Sequence, residues 1–287
     1  MTPGESGMLL LTSHLGDLAA KPLTVAQYRE LSGRVRKMER PTAQRDLQQQ
    51  DLMALGYDPE FADRVLGLLA RKDRLQQYVE DGAQRNCVPI TRLTPGYPQI
   101  LRERLGMDAP GTLWAKGDLR ILDTPKVALV GSRNLHSDNR AFAQEVGRQA
   151  ALQGYTLVSG NASGADVAAE ESCLFYGGKV ISVLADELMR CSTRENVLYL
   201  SEDGFDLPMS AWRALSRNRV IHSLANKTFV AQCRLGGGGT WDGTTKNLKN
   251  RWSPVYCFRD GSEASLELSK RGATRIEIHD LKNISAL

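Results

Sequence analysis

Four short segments carry residue types suited to holding an anion. Gly131-Ser132-Arg133 joins a glycine that lets backbone approach a phosphate to a hydroxyl and a planar guanidinium fork. Ser159-Gly160-Asn161-Ala162-Ser163-Gly164-Ala165-Asp166 offers two glycines and the amides of an opening helix, while Asp166 suits a helix-start cap or a hydroxyl-binding group. Arg217-Asn218-Arg219 sets two guanidiniums beside an amide and precedes apolar Val220 and Ile221. Gly236-Gly237-Gly238-Gly239-Thr240 is a fourth loop that opens a helix, with Lys246 further along it. Neither GxGxxG nor a Walker-type GKS or GKT occurs, which argues against a plain dinucleotide enzyme or NTPase. The four histidines, His14, His136, His222 and His279, suggest no catalytic triad, and His222, after Arg217-Asn218-Arg219, reads as a capping or solvated side chain ahead of the alternative of a ligand contact. The five cysteines show neither CxxC spacing nor a zinc-like partnership with histidine, so neither a metal site, a cofactor nor a disulfide frame is expected.

The elements that position these segments alternate. Lys126 to Gly131, Thr156 to Val158, Lys179 to Leu184, Thr228 to Ala231 and Val255 to Phe258 are short apolar runs that read as buried parallel strands. Residues 138–152, 165–175, 210–224 and 241–250 read as the intervening helices. This βαβ repetition predicts an α/β fold, a Rossmann-like doubly wound parallel sheet preceded by a small helical domain. Residues 1–86 form the helical N-terminal (SAM/HhH-like) domain, 87–120 an extended connector interrupted by prolines, and 121–280 the Rossmann-like domain. The three glycine-bearing loops then fall at strand ends, where such sheets bind their ligands.

The 287 residues carry a net charge of only +4, which excludes a generally basic polymer, and 41% hydrophobic with 24% charged residues is ordinary globular composition. The charge is uneven. Between Arg213 and Arg251 stand eight basic residues and one acid, Asp242, as expected of a surface that neutralises phosphates. Trp241, Trp252 and Tyr256 interleave with that stretch as candidate stacking partners for bases. The apolar run Met8 to Leu11 is too short for a signal peptide or a membrane span, so a soluble cytoplasmic protein without membrane contact is expected.

Taken in order, these motifs resemble the DprA/Smf DNA-processing family, within the SLOG group of Rossmann-like proteins. The resemblance runs from Tyr97-Pro98 and the "LWAKG" of Leu113 to Gly117, through the segments above, Glu195-Asn196 and Leu200-Ser201-Glu202, to Gly272-Ala273. It implies a non-enzymatic protein that binds single-stranded DNA, forms a homodimer and hands DNA to a RecA-type recombinase. By the same resemblance Arg133, Arg217 and Arg219 contact phosphates or bases, and Ser132, Gly160, Gly164 and the glycines at 236–239 shape the pocket. Departures are Ala214-Leu215 for an aromatic-proline pair, Ala185-Asp186-Glu187 for a glycine-containing turn, Trp241-Asp242-Gly243 after the glycine run, and no winged helix before Leu287. Two other readings stay open: a SLOG-type nucleotide-binding sensor, and a phosphoribohydrolase-like enzyme, whose motif places a carboxylate where Gly243 stands.

Overall fold

Helix-start chemistry organises the N-terminal region. α1 (Pro3–Thr12) and α2 (Val25–Arg36) both open with a capping box, Thr2 with Glu5 and Thr24 with Gln27, which satisfies orphan amides reciprocally. α3 (Gln49–Ala54), α4 (Pro59–Leu69, capped by Asp58) and α5 (Lys72–Gln84) follow. Leu11, Leu31, Leu52, Ala62, Val65 and Leu68 bury against one another as a small core of this region. Leu9 and Leu10 of α1 and Leu75 and Tyr78 of α5 enter the main core instead. The computed structural model describes residues 1–38 and 46–287; residues 39–45, within the stretch read as helical, lie outside the described residues.

The rest of the chain builds one nine-stranded sheet. Its elements are β1 (Val88–Thr91), α6 (Gln99–Leu105), β2 (Thr112–Lys116), β3 (Lys126–Val130), α7 (Ser137–Leu152), β4 (Thr156–Ser159), α8 (Ala165–Phe175), β5 (Lys179–Leu184) and β6 (Val197–Glu202). They continue with α9 (Ala211–Leu224), β7 (Lys227–Val230), α10 (Gly239–Asn250), β8 (Val255–Phe258), α11 (Glu263–Lys270) and β9 (Thr274–Ile276). Strand order is β1-β2-β6-β5-β4-β3-β7-β8-β9. From β6 to β9 every pairing is parallel, and the period-2 alternation sends Val127 and Leu129 of β3 to one face, Ala128 and Val130 to the other. Phe142 and Val146 of α7 and Ala165 and Ala169 of α8 cover the first face; Leu101 of α6, Val220 and Leu224 of α9 and Leu268 of α11 cover the second. Among the described residues no helix is long and apolar enough to cross a membrane.

Three expectations change. Residues 87–120 are no mere connector, because β1 and β2 pair antiparallel with each other and β2 pairs antiparallel with β6. The sheet is therefore mixed at that edge. Proline hid this: Pro89 sits in the outermost strand, where a missing amide donor is tolerated. β6 was also unforeseen, although all six of its residues are buried. The chain from β5 to β6 contains only a 3₁₀ turn, Leu188–Arg190, so the strand–helix alternation lapses there. β9, three residues long with Arg275 at its centre, is too short for a periodic signal.

The α7–α8 contact rests on Gly147. A Cβ at that position lies 2.1 Å from the backbone oxygen of Ala169, an atom fixed in the facing helix. Gly147→Ala gains about 1 kcal/mol of helix propensity yet forces two helices apart. It should lower the urea midpoint, with a net loss of about 1–3 kcal/mol at unchanged m-value.

Candidate functional site

The direction of winding reverses at β3. From there the chain builds outward through β4, β5 and β6 on one side and through β7, β8 and β9 on the other. The loops leaving β3 and β7 diverge at that point and open a crevice, the place where doubly wound sheets bind ligands. A cavity of about 730 Å³ lies there, lined by Gly131 to Asn134 after β3, Ala162 and Asp166 after β4, the first turns of α9, and Arg234 with Gly237 to Thr240 after β7.

Each glycine has a local reason. A Cβ on Gly131 meets that of Ala165 at 2.4 Å, so this glycine lets α8 start close to β3. Gly164, at φ +91°, lies against the backbone oxygens of Ser132 and Arg133. A Cβ on Gly160 would overlap the Arg217 guanidinium, which occupies that space. Arg217 Nη1 donates to the Val183 carbonyl at 2.8 Å. Asn218 Nδ2 donates to Gly239 O at 3.0 Å and ties α9 to the glycine run. The Ser132 amide (2.9 Å) and hydroxyl (3.2 Å) both donate to Gln232 O and clamp the β3 loop to the β7 loop. Gly238, the residue before α10, gives that helix no side-chain cap, so its first amides open on the cavity with their partial positive charge.

Below the floor is a buried charge cluster. Asp166 accepts from the amides of Gly160 (3.2 Å) and Ala162 (3.3 Å), which makes it an internal anion for the loop that was read as an anion cradle. Burial raises its pKa and Arg217 opposes that rise. Burial likewise lowers the pKa of Arg217, with Asp166 and then Glu170 opposing. Ser159 is turned inward and its hydroxyl donates to Glu170; it contributes to the floor and not to the cavity wall. Burial pushes the Glu170 carboxyl up to about 7. A carboxyl with a raised folded pKa contributes stability that is fully present below its unfolded value and is lost as pH rises through the folded value. Subtracting the stability curve of Glu170→Gln from that of the parent should therefore leave a difference that declines between pH 4.5 and about 7 and is flat above. A difference that is flat throughout that window would contradict this placement.

Besides Ser159, two further expected contacts are not brought to the cavity. Arg219 stands two residues from Arg217, and such spacing puts side chains on nearly opposite sides of a helix. It pairs with Glu202 at 2.6 Å and donates to Asp108 O at 2.9 Å. Lys246 pairs with Asp242 one turn away at 2.9 Å, on the exposed side of α10. The basic stretch is thus no single face: Arg213 spends its guanidinium on the carbonyls of Ala185 and Leu207, and Lys227 donates to Ile284 O. Trp241 and Trp252 pack against the core, and Tyr256 is buried in it. Arg234 escaped the sequence reading, and His222 was ranked there as a cap or solvated side chain ahead of a ligand contact. Arg234 follows β7 by four residues at the switch-point loop, and that position was its signal. His222 is 1% exposed and neither solvated nor a cap, since α9 brings it against β7 and α10. Arg219→Ala, which strips the buried Glu202 of its counter-charge, should destabilise the fold by roughly 3–5 kcal/mol. Arg133→Ala should leave the melting temperature unchanged, because Arg133 is exposed and has no hydrogen-bond or ion-pair partner among the described residues.

Comparison with known proteins identifies the family. A family model described as DNA recombination-mediator protein A matches residues 89–284. The DNA processing protein DprA of Bacillus subtilis is 29% identical over 169 residues, 55% of this chain and 55% of that protein. Its namesake from Streptococcus pneumoniae is 33% identical over 156 residues, 50% of this chain and 53% of that protein. These matches span about half the length of either relative. The X-ray structure of the Streptococcus pneumoniae protein superposes with a TM-score of 0.68 at 22% identity, covering 97% of this chain and 95% of that one. The Helicobacter pylori DNA processing protein A, described for its single-stranded DNA binding mode, gives a TM-score of 0.59 at 24% identity over 70% of this chain and 95% of that one. The chain belongs to the DNA recombination-mediator protein A family, the DprA/Smf proteins.

Proposed function

We propose that this chain binds single-stranded DNA in the switch-point cavity and acts by holding the strand rather than by chemistry on it. The observation that supports this most is the pair of cavity arginines, Arg133 and Arg234, both exposed and both with a guanidinium that has no hydrogen-bond or ion-pair partner among the described residues. Between them lie the uncapped amides of α10, a neutral anion cradle that asks nothing of sequence. Arg217, held from below, adds a third positive charge beside the buried carboxyls of Asp166 and Glu170. Gly243 supports a binding rather than a hydrolytic role. It supplies no carboxylate where the phosphoribohydrolase motif has one, and a side chain there would start at a tight 3.1 Å from both Asn218 Cβ and His222 Nε2. By family resemblance the bound strand is protected or passed to a RecA-type recombinase, and the working form is a homodimer in the cytoplasm.

Fluorescence anisotropy with labelled oligo-dT tests the central part. Binding should weaken linearly in log salt, and Arg133→Ala and Arg234→Ala should each reduce the slope by about 0.7, the value for one phosphate contact on a single strand. Lys246→Ala, outside the cavity, should leave the slope unchanged. Failure to bind oligo-dT, together with a melting shift produced by a free mononucleotide, would transfer the cavity to the sensor reading.

A further inference from the structure

His222 sits on the inner wall of the cavity in a network that determines which of its nitrogens carries the proton. The Ser253 amide donates to Asn247 Oδ1 at 2.9 Å, which fixes the Asn247 side chain with its NH₂ group facing the other way. That NH₂ group donates to Ser253 Oγ at 3.0 Å and to His222 Nδ1 at 3.1 Å. Thr228 Oγ1 is a further 3.3 Å neighbour of Nδ1. Nδ1 is thereby an acceptor. Burial depresses the pKa to about 3, so the ring is neutral at pH 7 and its single proton resides on Nε2.

Nε2–H has no accessible surface and no hydrogen-bond partner among the described residues, so an acceptor reaches it only when the start of α10 shifts outward as a ligand seats. It lies at the edge of the ring facing α10, 3.1 Å from where a Cβ of Gly243 would stand. An orphaned buried donor is costly and uncommon, and one beside a ligand cavity is a group waiting for an acceptor. The same cavity is lined by the start of α10, which has no side-chain cap, and Asn218 Nδ2 is already spent on Gly239 O. The complement to such a set is an oxygen bearing lone pairs and negative charge.

Resting on the reading of the cavity as a single-strand site, we infer that His222 donates Nε2–H to a non-bridging phosphate oxygen of the strand, seated at the α10 N-terminus. The contact is a neutral one. It adds affinity and sets the depth at which a phosphate sits, yet it displaces no counterion. The two arginines supply the salt dependence, and His222 supplies none of it.

¹⁵N-histidine NMR of the intact protein at pH 7 is the direct test, with His222 assigned by the signal missing from His222→Phe. The His222 ring should show the Nε2–H tautomer, and its Nε2 resonance should move on saturation with oligo-dT. In anisotropy, His222→Phe should bind oligo-dT about tenfold more weakly, as for one hydrogen bond to a charged group, with the salt slope unchanged. A fall in slope or a Nδ1–H tautomer would overturn the inference. An unmoved His222 resonance under tight binding overturns it while leaving the single-strand site standing; absence of oligo-dT binding overturns both. The NMR arm uses the parent protein, so the result does not depend on the variant folding.

Discussion

The site depends on one buried guanidinium. Arg217 lies on the backbone of Gly160, donates to the Val183 carbonyl and shares its surroundings with Asp166. Arginine stays charged even where burial disfavours it, so the protein must surround that charge with carbonyls and a carboxylate. Those same groups belong to the ends of β4 and β5 and the start of α8. One side chain thus holds together the ends of neighbouring parallel strands beneath the cavity, and a residue larger than glycine at 160 cannot coexist with it.

With the floor neutralised internally, the walls remain free for a ligand. Asp166 takes up the loop amides after β4, so that loop shapes the cavity without offering an anion cradle of its own. The open positive ends are those of α10 and of the two exposed arginines. Phosphate affinity therefore arises from backbone amides and unpaired guanidiniums on the β3 and β7 loops, the two that separate at the reversal of strand order. Hydrogen bonds from Ser132 to Gln232 O keep these loops in register, so the two arginines face one volume.

Much of this was legible beforehand, for a physical reason. Buried parallel strands are short apolar runs and glycines cluster where helices start close to strands, so β3, β4, β5, β7 and β8 and all three glycine loops stood out. What stayed hidden is what a linear pattern does not encode. Side-chain direction on a helix separated Arg217 from Arg219 and sent Lys246 to Asp242. The pairing of Ser159 with Glu170 and of Asn247 with His222 depends on elements meeting in space. Strands β1 and β2 were masked by prolines, and β6 by the lack of a helix before it. Charge density along the chain misled most directly, since several of the basic residues from Arg213 to Arg251 spend their charge inside the fold.

The central question is where a strand lies. A crystal structure with a short oligo-dT measures that most directly. It should show a phosphate on the amides at the start of α10, flanked by Arg133 and Arg234, with Arg219 still paired to Glu202. A strand bound elsewhere, for example along exposed Lys249 and Arg251 at the far end of α10, with the cavity empty, would contradict it.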